Sequence, residues 1–480
     1  MQLLSEIREK KENTFLKNLL QLMPVVAFVV FGIITIDIMS LWFGSLKTAS
    51  TYWWVFSYGF LIWFLTGDII FIFKWSFKNK TGISLCTLAV LIALVLFPAN
   101  KIFDVGNAEQ VLCGLNFLEH PQEGLGATCL LGYPSRQYLF PAIPSFFGGR
   151  SFTLLTIGVT FYFIVGLIFF VRGILSYFPY KEADWYASIA AVSILHLFQF
   201  NKWMFSFEQS IYPFAFSLML VGIFLRMKTK AKTNDFYLMC LILLYVIYSY
   251  TPGLSLFCLG VLTLLWLIFT MPLDSKNKFL CAMAIAGLCI EMVISLLSRH
   301  DVHLVTNDIS QQQLIANLFS SVQHIFFQDK GDPIVSSVYH LIVLFVLLTA
   351  LLNVWGKHVF SLAIWIVTTI VMAIISRGYM YYSQEYDVGF LFLRITHIFP
   401  VLFVISICIL DGWKPALSRN HFKKVLICLY IIFLITGIRF SQKLVQTRIS
   451  NTPIRFYQWT QAWSVRKTVS FRFTSISKTF

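Results

Sequence analysis

Apolar residues dominate the chain in long blocks, broken by short polar stretches, and this alternation of blocks predicts helices rather than strands. The blocks run roughly 16 to 22 residues, the length a helix needs to cross a hydrocarbon core about 30 Å thick. Thirteen can be marked, at 23–43, 53–73, 83–98, 152–171, 185–200, 211–225, 236–250, 254–270, 279–297, 338–352, 359–375, 395–410 and 425–438. The pattern predicts an all-α polytopic membrane protein of about thirteen transmembrane helices with a large extracytoplasmic first loop. It divides into an N-terminal region of three spans (1–100), that polar loop (101–150), the remaining helical core (151–438) and a basic C-terminal tail (439–480).

Composition strengthens the reading. Hydrophobic residues make up 58% of the 480 and charged residues only 12%, with mean hydropathy +0.75. A soluble globule carries about a quarter charged residues. The stretch 1–22 lacks a signal-peptide cleavage pattern, because its apolar run continues into a full-length span, so it is expected to stay attached.

The net charge of +15 would point to nucleic acid in a soluble protein, but here the basic residues fall mainly in short interhelical loops, where they set topology. Placing the N-terminus in the cytoplasm puts more than half of the 37 Lys and Arg residues on that side. They include the clusters Lys74, Lys78, Lys80 and Arg226, Lys228, Lys230, Lys232. The tail carries only basic charge, and an odd number of spans places it outside.

On the outer face this topology collects four loops, 101–150, 201–210, 298–337 and 376–394, and with them Asp104, Glu109, Arg136, Lys202, Glu208, Arg377 and Arg394. Acids just beyond a hydrocarbon edge mark sites more often than accidents, and Asp104 and Glu109 follow a span by a few residues. A carboxylate can take a proton from a neutral nucleophile while Arg or Lys stabilises phosphate charge. The plain alternative for each residue is a solvated loop charge, or a snorkelling Arg at 394.

Asp37, Asp68 and Glu291 lie inside apolar blocks; the simplest reading is that they sit near helix ends or pair within the bundle. His196 and His397 read as interhelical polar contacts. Of nine cysteines, Cys113 and Cys129 share the large loop. They could close a disulfide there if that side is oxidising, the alternative being two free thiols. Cys86, Cys240, Cys258, Cys281, Cys289, Cys408 and Cys428 fall in apolar blocks as packing residues. No metal-ligand spacing and no Rossmann or Walker glycine pattern occurs.

The run FDVGNAEQVLCGLNFLEHP, then GYPSRQYLFPAIPSFFGGRSF, then a helix ending FFVRG resembles the opening of the GT-C glycosyltransferase superfamily, in the branch of protein O-mannosyltransferases and lipid A aminoarabinose transferases. FNKWMFSFEQSIYPFAFSLMLVGIFLR looks like that family's second acidic loop and following helix, SYTPGLSLFCLGVL like its next hairpin, and FLRITHIFPVLFVISI like its Arg-aromatic-Pro helix start. The last has Ile395 where an aromatic is common. The first two spans have no counterpart in the minimal family arrangement, and VGNA separates acids that are often adjacent.

The resemblance implies sugar transfer, with inversion, from a polyprenyl phosphate to an acceptor hydroxyl on the outer face. Asp104 would be the general base, Arg394 with Arg136 or Lys202 would hold the donor phosphate, and Glu208 would orient donor or acceptor. Glu109 fills the family's second acidic position. No cofactor is certain: Arg neutralisation of the leaving phosphate makes a metal non-obligatory, and the acids leave room for a divalent ion. Implied partners are the lipid-linked donor, a lipid, glycan or protein acceptor, and membrane lipids, with no nucleic acid. A bacterial inner membrane with a periplasmic site fits, and an endoplasmic reticulum membrane would look similar. An O-antigen polymerase or ligase, and a transporter or flippase, stand as alternatives.

Overall fold

The computed structural model describes residues 25–78, 114–123, 139–148, 152–178, 182–200, 211–229, 233–248, 252–270, 273–298, 316, 399–412 and 418–449. Among the described residues the protein is all-helical, without strands. Its main helices are α1 (Val25–Trp42), α2 (Lys47–Lys78), α3 (Leu139–Phe147), α4 (Phe152–Tyr177), α5 (Ala183–Phe200), α6 (Ile211–Thr229), α7 (Thr233–Ile247), α8 (Pro252–Thr270), α9 (Ser275–Ser298), α10 (Phe399–Gly412) and α11 (Arg419–Ile449).

Ten of the thirteen predicted blocks coincide with these helices; 83–98, 338–352 and 359–375 lie outside the described residues. By length and apolarity two described segments can cross a membrane, Gly44–Phe77 and Ser275–Ser295. Large apolar side chains point away from the protein along α1, α2, α8, α9 and α11, among them Trp42 and Phe269, each 81% exposed, with Trp63, Phe279 and Ile435. So much outward apolar surface would be a liability in water and is ordinary against lipid.

A tight connection sets the first pair. Apolar α1 ends at Trp42, the amide of Phe43 still bonds the Met39 carbonyl at 2.9 Å, and one 3-10 turn, Gly44–Leu46, reverses the chain into α2. At 1.5 Å per residue, the 32 residues of α2 span about 48 Å, more than a hydrocarbon core.

The centre is α7. Every residue from Asp235 to Ile247 is buried, with α1, α6, α8 and α9 all packed around it. The most extensive helix pair is α4 with α6, where glycines let the backbones meet. A Cβ on Gly222 would stand 2.3 Å from the Phe169 carbonyl oxygen, and one on Gly173 would stand 2.4 Å from that of Gly222. Helices in lipid associate through such close packing, because apolar side chains gain nothing by leaving hydrocarbon tails.

The stretch 101–150, expected as a polar loop, contains helix. A short helical turn at 114–119 buries Leu115, Phe117 and Leu118 in the core, and α3 buries Leu139 and Ala142 while packing on α4. The missed signal is the apolar spacing within GLNFLE and LFPAIPSFF, masked at sequence level by the surrounding Gly, Pro and charge.

Candidate functional site at one end of the bundle

Among the described residues, two buried polar clusters lie toward opposite ends of the bundle. The first gathers the C-terminal part of α1, the N-terminal part of α2 and the C-terminal ends of α7 and α9. Asp37, 1% exposed, accepts hydrogen bonds from the Ser50 hydroxyl and from Trp54 Nε1, the latter at 2.9 Å. One turn further along α2, the hydroxyls of Ser57 and Tyr245 meet at 2.9 Å. The Trp54 ring lies edge-on to Tyr248, with centroids 5.5 Å apart, and Tyr58 stacks on Tyr245 at 4.7 Å. Tyr248 donates to Glu291 Oε2 at 2.5 Å, and Ser295 donates to the Ile247 carbonyl at 3.3 Å.

The residue types explain the arrangement. A carboxylate in an apolar bundle persists only when hydrogen-bonded or paired, and Trp and Tyr combine an apolar body with one donor. The surrounding aromatics therefore fill the volume, while Trp54 donates to one oxygen of Asp37 and Tyr248 to one oxygen of Glu291. The first loop joins this end: Pro121–Glu123 packs against α2, and the Thr51 hydroxyl reaches the Pro121 carbonyl at 3.4 Å.

The second cluster is a four-charge network. Arg226 on α6 bridges Asp68 on α2 at 2.7 Å and Asp235 on α7 at 2.8 Å. Arg172 on α4 approaches Asp68 at 3.5 Å, and its guanidinium carbon stands 3.2 Å from the centroid of the Phe71 ring. Two cations balance two anions across four helices. At the same end Trp75 donates to Asp184 at 2.6 Å, tying α2 to α5, and Tyr186 donates to Asp411 at 2.7 Å, tying α5 to α10. Asp68 follows Trp54 by fourteen residues on α2, so the clusters lie about 21 Å apart along the axis.

Asp104, Glu109, Arg136, Lys202, Glu208, Arg377, Arg394, Cys113 and Cys129 lie outside the described residues, as do His397 and the side chain of His196. Asp37, Asp68 and Glu291 are placed, and each pairs inside the bundle as the simpler reading expects. Arg226 differs from expectation: it is a half-buried bridge between two acids, not only a topological charge. The sequence signal for it was Asp235 nine residues on, at the start of α7. Of the cysteines read as packing residues, Cys240 and Cys281 are buried, Cys408 is half-buried, and Cys289 and Cys428 are exposed. Among the described residues no group of three His, Cys, Asp or Glu could hold a metal ion.

Comparison with protein-family models, with curated proteins and with solved structures finds no match to this chain.

Proposed function

We propose that the chain is a polytopic membrane glycosyltransferase of GT-C type, with thirteen spans, that moves a sugar from a polyprenyl phosphate to an acceptor hydroxyl on the extracytoplasmic face. The carrying observation is the order of elements along the sequence: Asp104 just past an apolar block, a Pro-containing segment, a helix with Arg172 near its end, Glu208 before a helix, and Arg394 ahead of a late one. A lipid-linked donor needs no nucleotide-binding domain, which suits a chain built of apolar helices without a phosphate-binding glycine motif.

The acceptor oxygen attacks the anomeric carbon from the face opposite the phosphate, and the bond from that carbon to the phosphate oxygen breaks. The bonding pair leaves with the phosphate, and the acceptor's proton passes to Asp104. Arg394, with Arg136 or Lys202, neutralises the leaving phosphate, where a guanidinium fork matches two phosphate oxygens. Glu208 orients the sugar or acceptor, and Glu109 supports Asp104. The home membrane in this reading is a bacterial inner membrane.

A transporter or flippase is the second reading, favoured by one observation: the charged network of Asp68, Arg172, Arg226 and Asp235 inside an apolar bundle, since intramembrane charges often mark transport paths. Membranes carrying the wild type or Asp104→Asn, supplied with radiolabelled polyprenyl-phosphate sugars, separate the readings. Label should enter an acceptor fraction with the wild type and not with Asp104→Asn at equal abundance. Undiminished transfer by Asp104→Asn refutes its role as base, and movement of intact donor across the membrane without transfer favours transport.

A further inference from the structure

We infer that Asp37 is a positioning residue: through Ser50 and Trp54 it fixes the first turns of α2 as the platform on which the loop segment 114–123 is seated. The inference rests on the glycosyltransferase reading only for what that loop does, since the same loop carries Asp104.

The geometry forms a chain of fixed contacts. Asp37 sits on α1, and its two carboxylate oxygens take one donor each from α2, the Ser50 hydroxyl and Trp54 Nε1. Those two donors flank Thr51, whose hydroxyl lies 3.2 Å from the Lys47 carbonyl of its own helix and 3.4 Å from that of Pro121, where Pro121–Glu123 packs on α2. The same segment is anchored by Leu115, Phe117 and Leu118, which are buried in the apolar core. The platform is itself fastened to the middle of the bundle by Trp54 and Tyr58 against Tyr245, and by Ser57 on the Tyr245 hydroxyl.

This gives the N-terminal helix pair a role. α1 and α2 are the spans with no counterpart in the minimal family pattern, and they supply the surface under the first loop. A carboxylate suits position 37 because it accepts from two donors at once. An amide can keep both contacts, with its oxygen accepting from Trp54 and its NH2 donating to a rotated Ser50 hydroxyl. A methyl group keeps neither.

The test uses the full-length protein in native membranes, with Thr51→Cys and Pro121→Cys in a Cys113→Ser, Cys129→Ser background, and follows oxidant-promoted cross-linking. At equal abundance the cross-link should form with Asp37 and with Asp37→Asn, and fall about fivefold with Asp37→Ala, as expected when a buried two-donor contact is removed. In the otherwise native chain, Asp37→Ala should lower kcat for sugar transfer while KM for the lipid donor holds, with Asp37→Asn restoring kcat. Unchanged cross-linking in Asp37→Ala overturns the inference, and so does equal loss in Asp37→Asn. Should Asp37→Ala fail to accumulate, Trp54→Phe removes one donor and should reduce cross-linking about twofold; no reduction overturns the inference. A chain that shows the expected cross-linking pattern yet transfers no sugar refutes the glycosyltransferase reading and leaves the platform standing.

Discussion

Replacing Arg226 by Ala tests whether the four-charge network fastens the bundle. Arg226 makes two charge-assisted hydrogen bonds, 2.7 Å to Asp68 and 2.8 Å to Asp235, with side chains 18%, 10% and 5% exposed respectively. Each such bond contributes about 1.5–3 kcal/mol, and breaking a buried pair from one side costs about 3–5 kcal/mol because the partner charge stays behind. Here two acids are left behind. Arg172 stays 3.5 Å from Asp68 and relieves that one in part, so the expected loss is about 3–4 kcal/mol.

Arg226→Lys separates charge from geometry. An ammonium has no planar fork to reach two acids on different helices at once, so Lys should recover about half of the loss. The assay is reversible unfolding in mixed micelles of rising SDS fraction, comparing wild type, Arg226→Ala, Arg226→Lys, Asp68→Asn and the Arg226→Ala, Asp68→Asn double variant. A coupling energy of about 1.5 kcal/mol or more between positions 226 and 68 is expected for residues in direct contact. Coupling near zero, or an Arg226→Ala loss below about 1 kcal/mol, would refute the argument.

Gly222→Ala should cost about 3 kcal/mol in the same assay, because its Cβ meets the Phe169 carbonyl 2.3 Å away and backbone cannot yield. Gly260→Ala should stay within about 1 kcal/mol of wild type, since its Cβ meets the movable tip of Leu243 and the helix gains propensity. Equal costs at the two positions would sink this distinction. Tyr248→Phe removes the donor to Glu291 and should cost about 1–3 kcal/mol, read as lower resistance to SDS. Tyr186→Phe, losing its bond to Asp411, should cost about 1 kcal/mol and loosen α5 from α10, measured as faster proteolysis near residue 411.

Helix positions were legible because lipid imposes a length and an apolar composition that survive any detail of packing, so the block 211–225 became α6 and 279–297 became α9. Polar partnerships were only half legible. An Asp inside an apolar run, as at 37 and 68, announces that a partner exists, but nothing local says that the partner of Asp68 is Arg226, 158 residues away. The helical pieces at 114–119 and Leu139–Phe147 were hidden for the opposite reason. They are too short to carry a periodic signal; Leu139–Phe147 packs on α2 and α4, and 114–119 buries Leu115, Phe117 and Leu118 in the core. The candidate catalytic residues rest on sequence order alone, because a loop acid's chemistry depends on neighbours that sequence spacing does not supply.

One agreement between the charge count and the geometry bears on orientation. Lys78 closes α2 at the end where Arg226 binds Asp68, while Pro121 touches Thr51 near the other end, 27 residues or about 40 Å along the same helix. The parity derived from Lys and Arg places 101–150, the α1 to α2 connection, and the chain following α7 and α9 on one face. The structure brings Asp37, Pro121, Tyr248 and Glu291 to one end. The contacts thus separate the Asp37 cluster and Pro121 from Arg226 along α2, which is the separation the charge count predicts.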